Sequence, residues 1–513
     1  MKTCLVPAHF SYNEDMSDAL SKSRYISAVQ CVKMLWLKDH MPEVFDDSYL
    51  NQAVFDAGNE VGDLAMGLFG AYTEVPYGDL NEMIRMTKRL IQKKTKVICE
   101  ASFCHDGLFC SVDILKNKCG KHVELYEVKS SSHIHDIYLD DIAFQVCVLQ
   151  QCGYQVDKAC LVYIDSTYER IGELDLSQLF RIADLSDLVF AKQAEVEANI
   201  EVFRAVLRGH EEPECELGAY CFSPYACGFF PCCSRHLERP NVFDLSAVQL
   251  RTKLQYYRKG LITFQDLYEA DCLPSGAKLQ AEMELTDQSE HIEAEKIVEY
   301  LQNITYPLYY LDFESFQPPV PLYDRSYPFE QIPFQYSLHY QKRKNGRLYH
   351  KEFLAYPYAD PRRAIAEQLC ADIPKDVCVL AYNMSYEKSR ISRLAELFPD
   401  LGEHLLMIRS HIVDLITPFQ KKWFYRKAMH GSYSIKAVLP ALFPDDPELD
   451  YHHLAEIHNG AEASAMFQKM RLMDQDTLEE SRGYLLKYCE LDTYAMVKIL
   501  QKLQETGKGA KRK

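Results

Sequence analysis

The sequence predicts a multidomain α/β protein, and three observations lead to this fold class. The chain has 513 residues, which is more than a single hydrophobic core usually organises. Hydrophobic residues make up 47% and charged residues 26%, a balance typical of a folded globular chain and not of a disordered or fibrous one. Strand-like and helix-like runs follow one another along it. Two or three folded domains are therefore expected.

We expect three regions along the chain. Residues 1–238 contain most of the cysteines, and residues 239–304 contain short amphipathic segments that predict a helical connector. Residues 305–513 begin with strand-like runs. These runs are Pro307–Phe316, Ile332–Tyr340, Leu348–Tyr356 and Val377–Ala381. Asn345-Gly346 predicts a hairpin turn, and a three-stranded meander followed by alternating strands and helices is typical of an RNase-H-like sheet.

Charge and hydropathy limit the location and the partners. No stretch reaches 18 uninterrupted apolar residues, and Met1–Phe10 lacks the basic start and apolar run of a signal peptide, so no membrane association and a cytoplasmic location are expected. Acidic residues outnumber basic ones by 74 to 57, a net charge of −17. This excludes a protein whose whole surface is basic, although local basic patches can still bind a polyanion.

A first group of charged residues lies on two strand-like runs of the first region. Leu108–Leu115 carries Asp113, and Val123–Lys129 carries Glu127 and Lys129, which leave the same face of the strand because they are two residues apart. Two carboxylates can hold Mg²⁺ for phosphodiester hydrolysis while a lysine orients the nucleophile or stabilises developing charge. The alternative is a surface hairpin with a cross-strand Glu–Lys pair.

This segment resembles the core of the PD-(D/E)xK superfamily, in particular the RecB-type nucleases. The resemblance implies a restriction-endonuclease-like domain in which Gln145, on the helix-like run Asp140–Gln151, joins the catalytic residues. The family's Tyr four residues later is here Leu149. The place of its histidine falls near Gly62, where Glu60 is a substitute or a solvated residue of a helix face.

Five cysteines are concentrated near the end of the first region. They are Cys215, Cys221, Cys227, Cys232 and Cys233. Five residues separate Cys221 from Cys227 and another five separate Cys227 from Cys233, so the Cys-x-x-Cys pairs of most zinc ribbons are absent. Such spacings, with one ligand from far away, suit an iron–sulfur cluster. Free structural thiols and a zinc site are the alternatives.

A subgroup of RecB-type nucleases, including the CRISPR-associated members and the AddB subunits, is similar in its cysteines. In that subgroup one cysteine precedes the nuclease core and three follow it, and together they hold a 4Fe-4S cluster. Tyr25–Leu37 resembles the family's first helix. The ligands implied are Cys31, Cys221, Cys227 and Cys233, with Cys232 the rival for the last place. Cys215 is interpreted as a buried, small apolar residue.

A second group of acidic residues lies in the third region. Asp312 and Glu314 are two apart on the strand Leu308–Phe316, hence on one face, where buried charge is costly unless it is paired or metal-bound. Near the C-terminus, Tyr488 and Asp492 are four apart on the helix-like run Tyr484–Leu500, so they share one helix face. Acidic residues at these spacings also arise by chance in an acidic chain.

These residues resemble the DEDD exonucleases of the RNase-H-like (DnaQ) superfamily, in the subgroup that ends in Tyr-x-x-x-Asp. The resemblance implies that Asp312, Glu314 and Asp492 hold two metal ions, Mg²⁺ or Mn²⁺, and that Tyr488 positions the attacking water. Glu387 stands where the family has an Asp, and the resemblance implies that its longer carboxylate reaches the second metal ion as a further ligand. Asp414 and the run Ser432–Leu439 also resemble family landmarks, with a structural or substrate-facing role.

Three segments concentrate basic residues and could contact phosphates. They are Ile84–Val97, Gln341–Lys351 and Lys421–Lys427. The last interleaves four cations with three aromatic residues, which predicts an exposed surface for phosphate contacts and base stacking. A solvated face is the alternative for each.

The order of the two nuclease-like regions resembles a bacterial domain-of-unknown-function family. The leading hypothesis is a metal-dependent nuclease with two active sites, acting on DNA more than on RNA. No Gly-x-x-x-x-Gly-Lys-Ser/Thr loop occurs, so unwinding would need a helicase, or a defence or repair partner. A nucleic-acid-binding scaffold with decayed sites and an RNA-processing nuclease are the competing hypotheses.

Overall fold

The computed structural model of the protein describes residues 18–49 and 52–510. They form two compact α/β units, which confirms the predicted α/β class. Unit 1 ends at His236 and also includes Pro318–Glu330, and unit 2 comprises Leu237–Gln317 and the residues after Glu330. Residues 239–304, expected to form a connector, lie within unit 2.

Unit 1 is built on a seven-stranded mixed sheet. Its strands are β1 (Leu20–Ser21), β2 (Thr73–Glu74), β3 (Val97–His105), β4 (Leu108–Asn117), β5 (His122–Lys129), β6 (Gln155–Ile164) and β7 (Phe180–Asp184). Strands β2 to β7 are neighbours in chain order, and β1 pairs with β4. β3, β4 and β5 form an antiparallel meander, whereas β6 runs parallel to β5. The parallel step requires a crossover, which one helix supplies.

Helices cover the faces of this sheet. They are α1 (Lys22–Gln30), α2 (Val32–His40), α3 (Gln52–Ala65), α4 (Leu80–Gln92), α5 (Asp136–Gln151), α6 (Leu176–Leu179), α7 (Ser186–Ala191), α8 (Gln193–Arg208) and α9 (Phe230–Cys233). α5 is the crossover between β5 and β6. It is apolar on most of its surface because it packs between the sheet and other helices, with Phe144 fully buried and stacked on Tyr25 of α1.

The first helix differs from the expectation for Tyr25–Leu37. The chain breaks into α1 and α2 at Cys31, whose backbone is extended at φ −163° and ψ 119°. The Cys31 N–H still donates to the Ser27 carbonyl and closes α1, while α2 starts anew from Val32. Cys31 therefore lies at a corner between two helices and not on the face of one.

Unit 2 contains a five-stranded sheet and a two-stranded ribbon. Its strands are β8 (Glu290–Ile292), β9 (Leu308–Phe316), β10 (Ile332–Gln341), β11 (Leu348–Leu354), β12 (Cys378–Ala381), β13 (Ile412–Asp414) and β14 (Phe424–Arg426). The large sheet has the order β11-β10-β9-β12-β13. β10 is antiparallel to both of its neighbours, whereas β12 is parallel to β9 and β13. Asn345, at φ 57°, lies in the turn between β10 and β11.

In the described part of unit 2, eleven α-helices accompany these strands. They are α10 (Leu250–Arg258), α11 (Phe264–Glu269), α12 (Ser275–Leu285), α13 (Ala294–Leu301), α14 (Arg362–Asp372), α15 (Ser385–Leu397), α16 (Pro399–Ser410), α17 (Thr417–Gln420), α18 (Ile435–Leu442), α19 (Gly460–Lys469) and α20 (Gln475–Ala510). α20 is 36 residues long and packs across β9 and β10. In the described ranges 18–49 and 52–510, no helix is both long and apolar enough to span a lipid bilayer.

Candidate metal centres

The sheet of unit 1 brings together the residues of the first charged group. Asp113 on β4 and Glu127 on β5 each lie one residue beyond the paired residues Ile114 and Tyr126. Asp113 Oδ2 accepts a hydrogen bond of 2.6 Å from the Val128 N–H. Glu127 Oε1 lies 2.6 Å from Lys129 Nζ. Gln145 on α5 donates its Nε2–H to Glu127 Oε2 at 2.7 Å. The four predicted residues thus form one site, as strand alternation and the position of α5 require.

Two further residues, Lys22 and Asp141, complete what we call the unit 1 cluster. Lys22, at the start of α1, places its Nζ 2.9 Å from a Glu127 carboxylate oxygen, 3.9 Å from one of Asp141 and 4.0 Å from one of Asp113. Asp141 lies one turn before Gln145 and bonds Lys129 Nζ at 2.5 Å. Two ammonium groups are thereby surrounded by three carboxylates.

The carboxylates of the unit 1 cluster differ in their affinity for protons. Burial, followed by the charge of Glu127, raises the pKa of Asp113 well above its ordinary value. Burial alone would also raise the pKa of Glu127, but the ammonium groups of Lys129 and Lys22 outweigh it and lower that pKa. Glu127 therefore holds its charge, and Asp113 needs a nearby cation to do the same.

Two observations show that the unit 1 cluster fits a divalent cation. Three carboxylates, those of Asp113, Glu127 and Asp141, share only two ammonium groups, those of Lys22 and Lys129. Gln145 Oε1 is buried and, among the described residues, has no hydrogen-bond partner, so an acceptor atom is left for a ligand. Carboxylate and amide oxygens are the ligands that Mg²⁺ and Mn²⁺ prefer.

The positions that depart from the RecB pattern lie outside this cluster. Leu149 is fully buried in the apolar core of unit 1. Glu60 is exposed on α3 and lines a surface cavity of about 500 Å³ with Asp63 and Arg170, so it does not take the place of the histidine. Glu100 on β3, opposite Asp113, is an additional carboxylate. Its φ of 55° is rarely adopted by a non-glycine residue, and such strain clusters at functional sites.

In unit 2, the sheet and α20 bring the second group of acids together. Asp312 and Glu314 on β9 and Asp492 on α20 each offer a carboxylate oxygen, and these oxygens all lie within 4.8 Å of one another. Glu314 and Asp492 are buried, at 7% and 6% exposure. Tyr488, one turn before Asp492, is buried beside it. We call Asp312, Glu314, Glu387 and Asp492 the unit 2 cluster.

Glu387 lies on the first turn of α15 and is only 1% exposed. It is not among the three acids whose oxygens lie within 4.8 Å, but its charge raises the pKa of both Asp312 and Glu314. Its Oε2 is buried, and no described residue donates a hydrogen bond to it. Burial, followed by the charge of Asp414, raises the pKa of Glu387 to about 8. A buried carboxylate oxygen to which no described residue donates is available as a ligand for a metal ion.

Burial and mutual repulsion raise the pKa values of the other acids as well. The pKa values of Asp312 and Glu314 lie well above their ordinary range, because of burial first and the charge of Asp492 second. Burial raises the pKa of Asp492 to about 6. A divalent cation would relieve this repulsion, so the donor set fits Mg²⁺ or Mn²⁺.

Sequence reasoning missed two residues of this site. Tyr451 donates its hydroxyl to Asp492 Oδ1 at 2.6 Å and is buried. Lys436 on α18 places its Nζ 5.4 Å from the Tyr451 ring centroid and 5.5 Å from that of Tyr488. Its charge lowers the pKa of Glu314 and Asp492 against the effect of burial. Lys436 lies in the run Ser432–Leu439, and the resemblance of this run to a family landmark was the sequence signal that could have identified the residue.

Asp414 has a structural position. Its carboxylate accepts hydrogen bonds from the N–H groups of Asn383 and Met384, at 2.9 and 3.2 Å. It thereby holds the turn that leads from β12 into α15, on which Glu387 lies.

The predicted cysteine ligands gather at one end of unit 1. Cys31, Cys227 and Cys233 pack in a small apolar cluster with Trp36 and Phe229. Cys221 is buried nearby, and its carbonyl accepts from the Cys227 N–H at 3.0 Å. Burial raises the pKa of the Cys233 thiol to about 11, and the ammonium of Lys33 acts in the opposite direction.

The described thiols do not form a closed site for a single ion. Four thiolates around one zinc ion lie about 3.8 Å apart, given Zn–S bonds of about 2.3 Å. Within the part of the chain that the structure describes, no three cysteine sulfurs lie within 4.8 Å of one another. An iron–sulfur cluster binds each thiolate to a different iron atom, so its ligands stand further apart than those of one zinc ion.

The interpretation of Cys215 as an apolar residue is wrong. Cys215 is only partly buried, and its Sγ lies 3.7 Å from the Cys31 Sγ and 3.1 Å from the Tyr220 hydroxyl. It lies among the polar atoms of the cysteine-rich end and is a fifth thiol there. Cys232 is contacted by the Arg235 guanidinium at 3.4 Å, whereas Cys233 packs with Cys31 and Cys227, which favours Cys233 as the ligand.

Two of the three basic segments are exposed as expected. The exposed cations of the first are Arg85, Lys88, Arg89, Lys93, Lys94 and Lys96, on α4 and the turn after it. The hairpin between β10 and β11 exposes Lys342, Arg343, Lys344 and Arg347. Lys351 is instead paired with Asp372 at 2.7 Å.

The interpretation of Lys421–Lys427 as an exposed aromatic and cationic surface is wrong. Phe424 and Tyr425 are 0% and 1% exposed, because Phe424–Arg426 forms β14 and pairs with β8. Arg426 is paired with Glu290, 2.7 Å away. Strand β8 therefore covers part of this segment.

Lys422 yields a stability prediction. Its ammonium is buried against Tyr425 and donates to the Gly431 carbonyl, so burial lowers its pKa from 10.5 to about 8. Gly431 O also accepts from Ser246 Oγ, so Lys422→Met leaves that carbonyl bonded. We expect Lys422→Met to raise the free energy of unfolding by about 1 kcal/mol at pH 7 in urea denaturation.

The change of stability with pH tests whether the Lys422 ammonium destabilises the fold. Between about pH 8 and 10.5 the unfolded wild-type chain holds a proton at Lys422 that the folded one has lost. Wild-type stability therefore rises across this range relative to the variant, and the difference disappears above it. The exposed neighbour Lys421→Met serves as control and should change stability by less than about 0.5 kcal/mol. A Lys422→Met protein that is less stable at pH 7 would show that the ammonium stabilises the fold.

Comparison with known proteins links part of unit 2 to a family. A family model described as a domain of unknown function, DUF2779, matches residues 309–434, a range that includes Asp312, Glu314 and Glu387 but not Asp492. A protein of Mycoplasma genitalium described as uncharacterized is 26% identical over 215 residues, which cover 38% of this chain. The chain spans only about a third (32%) of that relative's length. Neither description names an activity.

Proposed function

We propose that this protein is a metal-dependent nuclease with two active sites on one chain, one in each unit. The observation that carries the proposal is the convergence of Asp312, Glu314 and Asp492, whose carboxylate oxygens lie within 4.8 Å of one another. Glu387 adds a buried Oε2 to which no described residue donates a hydrogen bond. Buried acids that converge without enough cations of their own are suited to hold metal ions for phosphodiester hydrolysis.

In unit 2 the proposed chemistry is that of a DEDD exonuclease, which removes nucleotides from a 3′ end. An antiparallel meander followed by two parallel strands supports the RNase-H-like interpretation. Asp312, Glu314, Glu387 and Asp492 would hold Mg²⁺ or Mn²⁺, which when bound neutralises the phosphate and activates water. Tyr488 would position that water, and Tyr451 orients Asp492 through its 2.6 Å hydrogen bond.

In unit 1 the proposed chemistry is that of a RecB-type PD-(D/E)xK nuclease. Asp113 and Glu127 would hold the metal ion. Lys129, 2.6 Å from Glu127, would stabilise the charge that develops on the phosphate. Gln145 orients Glu127 through its donated hydrogen bond. The exposed cations of α4 and of the β10–β11 hairpin offer phosphate contacts for a nucleic acid.

A degradation assay tests the proposal directly. End-labelled single- and double-stranded DNA and RNA are incubated with the purified protein and Mg²⁺ or Mn²⁺, with EDTA as control. We expect metal-dependent degradation, stronger for DNA. If the protein retards DNA in a gel but degrades none of the four substrates with either metal, the scaffold hypothesis replaces the nuclease. Degradation of RNA alone would assign it to RNA processing.

We further propose that Cys31, Cys221, Cys227 and Cys233 hold a 4Fe-4S cluster. Their thiols converge from the corner between α1 and α2 and from the turn around α9, so the cluster would tie together distant parts of unit 1. Lys33 and Lys38 lie near enough to influence the Cys233 and Cys227 thiols, and their charge would balance bound thiolates.

The cysteine assignment predicts a difference between adjacent residues. Purified without oxygen, the wild type should be brown and absorb near 400 nm. Cys233→Ser should lose most of this absorbance and iron, whereas Cys232→Ser should keep both. Equal loss in the two variants would contradict the choice of Cys233. A colourless wild-type protein with stoichiometric zinc would contradict the cluster itself.

A further inference from the structure

Two histidines face each other across the outer strands of the unit 2 sheet, outside the unit 2 cluster. His339 on β10 and His350 on β11 are direct cross-strand partners, and their ring centroids are 4.5 Å apart. His339 is 4% exposed, while 23% of the His350 side chain is exposed. The ring nitrogens of the buried His339 need hydrogen-bond partners or a ligand.

Two hydroxyl groups connect one nitrogen of each ring. His339 Nδ1 lies 2.8 Å from Thr493 Oγ1, and His350 Nε2 lies 2.9 Å from Ser337 Oγ. The two hydroxyl oxygens are themselves 2.7 Å apart. This chain of hydrogen bonds fixes both rings and uses one nitrogen of each, which leaves the other nitrogen of each ring for a different partner. Histidine ligands of metals are typically held in this way.

A carboxylate completes the group. Glu490 on α20 places its Oε1 3.8 Å from His350 Nδ1. One ligand atom each from His339, His350 and Glu490 lies within 4.8 Å of the others. We propose that these three residues form a binding site for a divalent cation of the zinc class, separate from both acidic clusters.

The donor set decides the class of metal. Two imidazole nitrogens and one carboxylate suit zinc and its neighbours, whereas Mg²⁺ and Ca²⁺ prefer oxygen alone. Ligand atoms around one zinc ion lie about 3.4 Å apart, given bonds of about 2.0–2.1 Å, so a contraction of at most about 1.4 Å would close the site. The partly exposed His350 and Glu490 side chains provide the entry path, and the fourth position is left for water.

Binding there would fasten α20 to the outer strands. Thr493 and Glu490 flank Asp492 on α20, while His339 and His350 belong to β10 and β11. The ion would therefore hold the helix that supplies Tyr488 and Asp492 without touching either residue. Metal binding at this site can be measured whether or not the protein is a nuclease, so the proposal does not depend on the proposed nuclease activity.

The test is zinc binding by the full-length protein. The wild type and the His350→Gln and Glu490→Gln variants are stripped with EDTA, reloaded with zinc, dialysed and measured for bound zinc. We expect each variant to bind one equivalent less than the wild type, and His453→Gln, at an exposed position, to bind the same amount as the wild type. Thiols elsewhere are present in all four proteins, so their zinc cancels in the comparison.

Two further measurements keep the result decisive. Thr493→Val keeps the shape of the buried side chain but removes the hydroxyl on His339, and should weaken zinc binding about 10- to 100-fold. Cobalt substitution should give a difference spectrum, wild type minus Glu490→Gln, with visible bands and no thiolate charge-transfer band. Equal zinc in wild type and both ligand variants, or a thiolate spectrum, would overturn the proposal. If His350→Gln does not fold, the half-exposed Glu490→Gln carries the test.

Discussion

An Asp312→Asn variant should lose the nuclease activity proposed for unit 2 while it keeps its fold. Asparagine has the shape of aspartate but no charge, and a neutral amide is a poorer ligand for Mg²⁺. We expect a loss of at least about 100- to 1,000-fold, the range for removing one transition-state electrostatic contact. The rate is measured on 3′-end-labelled DNA in a Lys129→Met background, which isolates unit 2.

Asp312→Asn should not lower the stability of the metal-free protein, although it lowers the activity. Burial and the charges of Asp492 and Glu314 raise the pKa of Asp312. Removing the charge of Asp312 therefore relieves repulsion in the metal-free protein. The melting temperature without metal should be equal or higher, and the rise on adding Mg²⁺ should be smaller than in the wild type. Asp376→Asn, at an exposed position before β12, is the matched control. Unchanged cleavage by Asp312→Asn would show that the acids of the unit 2 cluster do not take part in catalysis.

Lys129→Met should remove the nuclease activity proposed for unit 1. The lysine bonds both Glu127 and Asp141, and its charge helps to lower the pKa of Glu127. Methionine keeps the length of the side chain but not its charge. Cleavage by unit 1, measured in an Asp312→Asn background, should fall by at least about 100-fold.

A lysine on the neighbouring strand provides the control. Lys158 on β6 is half exposed and belongs to the same sheet, so Lys158→Met makes the same chemical change outside the unit 1 cluster. It should leave the rate within about twofold of its parent. If the Lys129→Met and Asp312→Asn double variant still degrades DNA with Mg²⁺, neither cluster is the active site.

Much of the unit 2 sheet could be predicted because its signals are local. Asn345-Gly346 marks the turn between β10 and β11, and Asn345 takes the positive φ that such turns require. The alternation of a strand places Asp312 and Glu314 on one face. The observed β9 and β10 agree with the predicted strands to within one residue at each end. These features depend only on residues a few positions apart.

The missed residues belong to the sites through contacts that no local pattern reveals. Lys22 meets Glu127 across 105 positions of sequence, and Tyr451 meets Asp492 across 41. The burial of Phe424 and Tyr425 depends likewise on β8, more than a hundred residues earlier. Spacing within a segment fixes the face of a strand or helix, but it does not tell which distant segment covers that face.

The short helix α1 has a thermodynamic consequence. It begins with Lys22, which lies against Glu127, and ends at Cys31, nine residues and about 13 Å further along its axis. If a cluster binds the folded thiols more tightly than the unfolded ones, its binding energy also opposes local opening of this helix, and hence displacement of the Lys22 ammonium. Loading of the cysteines and order at the carboxylates then form one linked equilibrium. Oxidation of the cysteines would then lower the fraction of molecules in which Lys22 and its carboxylate partners keep their native arrangement.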